Sequence, residues 1–145
     1  CATNVMARAK TFTRQRLDES GEPQPVVVPE HLDVVANLEC GAQLHLQQSA
    51  VTALLQDDAI YLFGSEGTLR LTSDRLFGGR KGDEQLTEIS IADGERGEWQ
   101  VESDFVAAIR GERGVTHTTF ADGVHYMEFT DAVARSIRSS RLEAV

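Results

Sequence analysis

Side chains able to do chemistry are scattered along this 145-residue chain, and their spacing decides whether they can act together. His117, Asp122 and His125 lie close in sequence and suggest a metal site, but His117 falls in an extended piece and His125 in the first turn of a helix. That is not a standard ligand spacing. Asp57-Asp58 and Asp83-Glu84 are paired carboxylates in polar turns, where solvated charge is the default. No serine sits in a GxSxG elbow, and neither Cys1 nor Cys40 has a helix N-terminus to lower its pKa. Gly78-Gly79-Arg80-Lys81-Gly82-Asp83 has the composition of a phosphate loop without GxxxxGK[ST] or GxGxxG spacing, and no helix follows it. It reads as a hairpin tip. No catalytic, cofactor-binding or metal-binding residue is assigned.

One polar set needs a strand to place it. Within Ala42–Leu55, read as a long strand, Leu44 and Leu46 face one way and Gln43, His45, Gln47 and Ser49 the other. This face is either solvated or covered by another copy of the chain. The neighbouring elements read as follows. Val5–Arg16 is a long strand with Val5, Ala7 and Ala9 on one face, and Asp18–Pro25 is a polar loop. Leu32–Glu39 alternates as a half-buried strand before the turn Glu39-Cys40-Gly41. Ile60–Leu71, reading IYLFGSEGTLRL, is a hairpin whose turn glycines, Gly64 and Gly67, are expected to supply φ > 0. Leu86–Ile91 is a further strand.

Helices come last. Ser103 or Asp104 is expected to cap one through Arg110, with Phe105 and Ile109 at i, i+4 and Gly111 as its stop. Asp122 is expected to cap a second, carrying Tyr126, Phe129, Val133 and Ile137 on one stripe. Arg135, Arg138 and Arg141 gather near its C-terminal end, where cations complement the dipole. Strands followed by helices predict a single α+β domain over 1–145, an open, largely antiparallel sheet with helices packed on one face.

Composition sets the class. The chain is 41% hydrophobic and 26% charged, with a net charge of −9, as expected of a globular protein that repels nucleic acid and anionic membrane surfaces. No run approaches the ~20 apolar residues of a spanning helix, and no signal pattern is present. Two unrelated cysteines fit free thiols in a reducing cytoplasm, the expected localisation.

Taken in order, several stretches carry a resemblance. They are NVMARAKTF at Asn4–Phe12, the strand and glycine at Leu38–Ala42, the Ser49 strand and the IYLFGSEGTLRL hairpin. Then come the run from Trp99 through Phe105 to Gly111 and the Ala121–Arg141 helix. In this order the sequence resembles the C-terminal domain of the glucose-fructose oxidoreductase / inositol dehydrogenase / MocA (Gfo/Idh/MocA) family of NAD(P)-dependent oxidoreductases. The family pairs an N-terminal Rossmann domain with a second domain that shapes the substrate pocket and mediates oligomerisation through an open sheet face. The resemblance therefore implies a substrate-binding and oligomerisation domain whose parent uses NAD or NADP on a sugar, inositol or related polyol. The family's dinucleotide fingerprint, its Glu-Lys-Pro lysine and its Asp/His pair have no match here. The chain is thus expected to be a fragment beginning after them, without cofactor or turnover of its own. Trp99, Arg14 and Arg16 are the candidate substrate-proximal residues, with covering of a sheet edge (Trp99) and pairing with Asp18-Glu19 (the arginines) as the plain alternatives. The expected partner is a second copy, through the Gln43/His45/Gln47/Ser49 face. The alternative is a non-enzymatic sheet module that binds a partner or dimerises.

Overall fold

The computed structural model describes residues 1–54, 58–95, 97, 99–115 and 118–145. Its elements, in order, are β1 (Ala2–Lys10), β2 (Gln15–Leu17), β3 (Pro23–Pro25), β4 (His31–Leu38), β5 (Gln43–Ser49), β6 (Ile60–Phe63), β7 (Gly67–Leu71), β8 (Leu76–Arg80) and β9 (Thr87–Ile89). A 3-10 turn at Asp93–Glu95, α1 (Val101–Ile109), α2 (Phe120–Ser139) and β10 (Glu143–Ala144) complete them. The class is α+β with antiparallel pairing throughout the described strands. Two compact units emerge: unit 1, Cys1–Thr52 with Ser103–Val145, and unit 2, Ala53–Glu102.

Unit 1 is built on a sheet of order β10-β1-β4-β5. Alternation places Val5 and Ala7 of β1 and Val34 and Ala36 of β4 on one face, where Ala132 and Val133 of α2 close the core. α2 presents Phe129, Ala132, Val133, Ser136 and Ile137, a stripe at 3.6-residue spacing. Tyr126, expected on this stripe, is 60% exposed, because the helix meets the sheet only from Phe129 onward. Ser136 fills a gap in the sheet edge. β10 pairs with β1 at Asn4 and Val5, and beyond it the Ser136 hydroxyl accepts from the Ala7 N–H (2.9 Å) and donates to the Arg141 carbonyl (2.6 Å). Arg135, paired with Asp131 of its own helix, ties α2 to β10 through Glu143 and the Ala144 carbonyl, a structural use of one of the C-terminal arginines.

Several boundaries depart from expectation, each for a local reason. The first strand ends at Lys10, not Arg16, because Glu30 takes the Phe12 and Thr13 N–H groups that would otherwise extend a ladder. The expected Asp18–Pro25 loop is shorter: Asp18–Glu22 forms the turn of a hairpin whose return strand, Pro23–Pro25 (β3), pairs with β2. Hydrogen bonds from Asp18 to Glu22 and from Val26 to Arg14 set the alternation, so Pro23 and Pro25 occupy non-bonded positions where a missing N–H costs nothing. β5 stops at Ser49 because its partner β4 begins at His31, directly opposite. Leu55 and Gln56, at the expected end of that strand, lie outside the described residues. The cap of α2 is Thr119, with Asp122 three residues on closing a reciprocal capping box. α1 starts before Ser103, and Phe105 and Ile109 are 65% and 71% exposed, so their stripe faces outward. Gly111 does end α1: at φ +71° it gives bonds from Gly111 to Ala108 and from Glu112 to Ala107.

Unit 2 is a meander of order β6-β7-β8-β9. The expected hairpin pairs Ile60 with Leu71 and Phe63 with Thr68, and the Gly64 N–H donates to the Gly67 carbonyl. Neither glycine has positive φ, contrary to expectation. At Gly67 the requirement is space, since a Cβ would lie 2.3 Å from the Gly79 carbonyl oxygen on β8.

Candidate functional site

The α2-covered face of the unit 1 sheet leaves its opposite face bare, and the registers fix what stands there. Four rows cross β1, β4 and β5: Asn4/Asn37/Gln43, Met6/Val35/His45, Arg8/Asp33/Gln47 and Lys10/His31/Ser49. Directly opposed residues share a face, so Gln43, His45, Gln47 and Ser49 do lie together, away from Leu44 and Leu46, which pack towards the core.

Asp33 is the hub. Its carboxylate accepts from Gln47 Nε2 at 3.1 Å and stands 3.0 Å from His31 Nε2. The Gln47 amide, then His31, hold its pKa below the ordinary carboxylate range, and the imidazoles of His31 and His45 add their field. An ionised carboxylate only accepts, so Nε2 is the protonated nitrogen of His31. The Phe12 ring meets His31 edge-on at 6.2 Å, and Lys10 Nζ lies 5.4 Å over Phe12. Asn37 Nδ2 donates to Asn4 Oδ1 at 2.9 Å. A His–carboxylate pair can orient an imidazole for proton transfer. Here no hydrogen bond joins Ser49 to His31 among the described residues, the Ser49 hydroxyl instead accepting from Val51. Two concavities are lined by other residues: a groove of about 500 Å³ along α2 at Phe120, Val124 and Met127, and another beside Gly64, Gly67 and Lys81. An open array of amides, imidazoles and charges suits a wet contact with another surface more than an enclosed small molecule.

Arg16, in β2, donates to Glu30 Oε1 at 2.6 Å, not to the Asp18-Glu19 segment. Asp18 is occupied by Ser20, Glu22 and Gln24, and the Ser20 hydroxyl leads in lowering its pKa to about 2. Glu30 also accepts from Phe12 and Thr13, and the Thr13 N–H is the main cause of its pKa falling to about 2. Arg14 is exposed, its carbonyl accepting from Val26. Trp99, just before α1, is 78% exposed, and its indole hydrogen bond is the first cause of a lowered pKa at Glu102. Within unit 1, neither Arg14 nor Arg16 is joined to the Asp33 cluster by a hydrogen bond or ion pair among the described residues.

His117 and Asp57 lie outside the described residues, while His125 pairs with Glu128 at 3.1 Å and Asp122 serves the α2 cap. Among the described residues no group of three His, Cys, Asp or Glu side chains could hold a metal ion, and no helix is long and apolar enough to cross a membrane. Asp33 and Glu30 escaped the sequence reading. Alternation alone puts Asp33 beside Asn37, but only the register brings Gln47 and His31 to it, and Glu30 before a strand carries no signal.

No family model matches the chain, and no curated protein matches it. Solved structures do. Levoglucosan dehydrogenase in complex with NADH and L-sorbose matches with a TM-score of 0.80 at 18% identity, over 99% of this chain and 44% of its own. An NAD binding oxidoreductase from Klebsiella pneumoniae matches at 0.76 and 20% identity, over 99% and 45%. The WlbA dehydrogenase from Bordetella pertussis, in complex with NADH and UDP-GlcNAcA, matches at 0.68 and 14%, over 99% and 40%. The chain spans less than half the length of each. It shares its fold with part of the Gfo/Idh/MocA-type oxidoreductases, the family its sequence resembles.

Proposed function

We propose that the chain is the C-terminal, substrate-binding and oligomerisation domain of an NAD(P)-dependent oxidoreductase acting on a sugar, inositol or related polyol in the cytoplasm. The observation that carries this reading is the fold match over 99% of the chain to a dehydrogenase bound to NADH and L-sorbose, of which it accounts for 44%. NAD or NADP belongs to the other part of such a protein. In this reading Trp99, Arg14 and Arg16 stand on the substrate side, and the face carrying Gln43, His45, Gln47 and Ser49 meets a second copy. The chemistry of that face supports a contact role, since His31 and Gln47 already meet the Asp33 charge on it.

The test is titration of NADH and NADPH against this chain and against the full gene product. Binding by the full product alone is expected; tight binding by this chain alone overturns the reading. A second reading, a non-enzymatic sheet module, draws on the large exposed area of 12,081 Å². A dinucleotide fingerprint and a Glu-Lys-Pro encoded upstream favour the first reading, and a start codon immediately before Cys1 the second.

A further inference from the structure

We propose that a trough along β7 binds a small aryl carboxylate, with the carboxylate on the Arg70 guanidinium and the ring between Phe63 and Leu86. The trough belongs to unit 2 alone and is independent of the oxidoreductase reading.

The registers Tyr61↔Arg70, Arg70↔Phe77 and Phe77↔Glu88 set four side chains in one row across β6, β7, β8 and β9. Arg70 is held there by rings alone: its guanidinium lies 6.0 Å from the Tyr61 centroid and 5.2 Å from that of Phe77. Its Nε is sealed from solvent without a hydrogen-bond partner, and among the described residues no carboxylate meets its Nη pair. A desolvated donor without a partner is costly, so this cation is set for a group that the fold itself does not supply. The neighbouring cation is different, because Arg75 sits 5.4 Å over Phe77 with its charge met by Asp74 at 3.7 Å.

The next row on the same face, about 6.7 Å along the strands towards the hairpin turn, is Phe63, Thr68 and Gly79. Phe63 stacks parallel on Tyr61 at 5.6 Å, so the two rings wall the β6 side. On the β8 side Gly79 brings no side chain, and a Cβ there would lie 3.1 Å from Leu86 Cδ2, so Leu86 forms the facing wall. Thr68, Gly79 and Leu86 also line the concavity beside Gly64 and Gly67. Two strand spacings, about 9.6 Å, separate the β6 and β8 positions and leave room for one flat ring over Thr68. A carboxylate matches the planar guanidinium fork with two parallel hydrogen bonds. The chain's net charge of −9 repels a bare anion, so an occupant needs apolar contact as well as charge. A ring between Phe63 and Leu86 supplies that contact, which acetate and phosphate lack. Glu88, exposed in the Arg70 row, stands two strands away, about 9.6 Å, where salt at ~0.15 M screens its repulsion.

Titration of phenylacetate into the isotope-labelled full chain, followed by amide chemical shifts, reads the site. Shifts are expected at Thr68, Arg70 and Phe77, saturating with a dissociation constant of about 1 mM, the scale for so small a ligand. Phenylacetamide, which keeps the ring without the charge, and acetate and inorganic phosphate, which keep charge without the ring, should each bind at least about tenfold more weakly. Arg70→Gln should weaken phenylacetate binding about tenfold, and Phe63→Ala about fivefold. Arg75→Gln, whose charge Asp74 already meets, should stay within about twofold. Phe63 is exposed, so its variant keeps the test valid if Arg70→Gln disturbs the ring stack; circular dichroism checks the fold of each. No saturation by about 20 mM overturns the proposal, as do shifts that gather outside β6–β9. Equal binding of phenylacetamide, acetate or phosphate overturns it too, as does unaltered affinity in a folded Phe63→Ala.

Discussion

In unit 1 one face of a four-stranded sheet is closed by α2, and all six buried apolar side chains found among the described residues lie there, from Val5 to Val133. In unit 2 a sheet of the same strand number leaves Ile60, Leu62, Leu69, Leu71 and Ile89 more than 40% exposed on one face and the Tyr61–Glu88 row on the other. The difference teaches where the stability resides. A strand pattern that alternates apolar and polar residues is stabilised only if something covers the apolar side. Unit 1 contains its cover in α2, and among its described residues unit 2 contains none.

Substitution by aspartate on each sheet tests this most strongly. Val34→Asp puts an unpaired carboxylate into the unit 1 core and should cost about 4 kcal/mol, enough to unfold it. Leu62 is 61% exposed, so Leu62→Asp should change stability by no more than about 1 kcal/mol. Urea titration followed by circular dichroism reads both. Equal losses from the two would break the comparison.

The next effect is smaller and belongs to unit 2 alone. Gly67→Ala drives a Cβ to 2.3 Å from the Gly79 carbonyl oxygen and should cost about 2 kcal/mol, read as faster amide exchange in β7 and β8 but not in β1 or β4. Gly64→Ala is its control. There the nearest atom is 3.5 Å away and φ is not left-handed, so the change should stay within about 0.5 kcal/mol.

Glycine shows how far the sequence could be read. The hairpin at Ile60–Leu71, its pairing and the place of its turn followed from local patterning, because a hairpin is a contact between near neighbours in the chain. That Gly67 answers to β8 and not to its own φ did not follow, since Gly79 lies across a strand pair. The shared face of Gln43, His45, Gln47 and Ser49 was legible for the same reason as the hairpin: the period of two is local. Asp33 as its centre was not, because Gln47 reaches it through β4–β5 register. Helix caps fall between. The Thr119 and Asp122 pair is visible as a capping box, yet either member alone passes for an N-cap. The outward stripe of α1 was illegible, as an i, i+4 pattern states which side chains share a face and not what that face meets.

The gentlest test uses acid. Of the carboxylates held below their ordinary range, Asp18, Glu30, Asp33 and Asp122 belong to unit 1 and Glu102 to unit 2. Glu30 has the clearest cause: the Thr13 and Phe12 N–H groups and Arg16 converge on its carboxylate, and its pKa falls from 4.5 to about 2. A depressed folded-state pKa means the unfolded chain binds the proton more tightly. Its contribution is therefore complete above about pH 4.5 and is lost as pH falls from there towards about 2. Unit 1 should lose stability across that window, with exchange rising first at Phe12 and Thr13. Glu30→Gln should remove part of that slope while lowering stability at neutral pH, because the amide keeps one acceptor and loses the charge that Arg16 meets. A slope unchanged by Glu30→Gln would show that the pairing at the end of β1 does not depend on this carboxylate. The acid sensitivity of unit 1 would then rest on Asp18, Asp33 and Asp122.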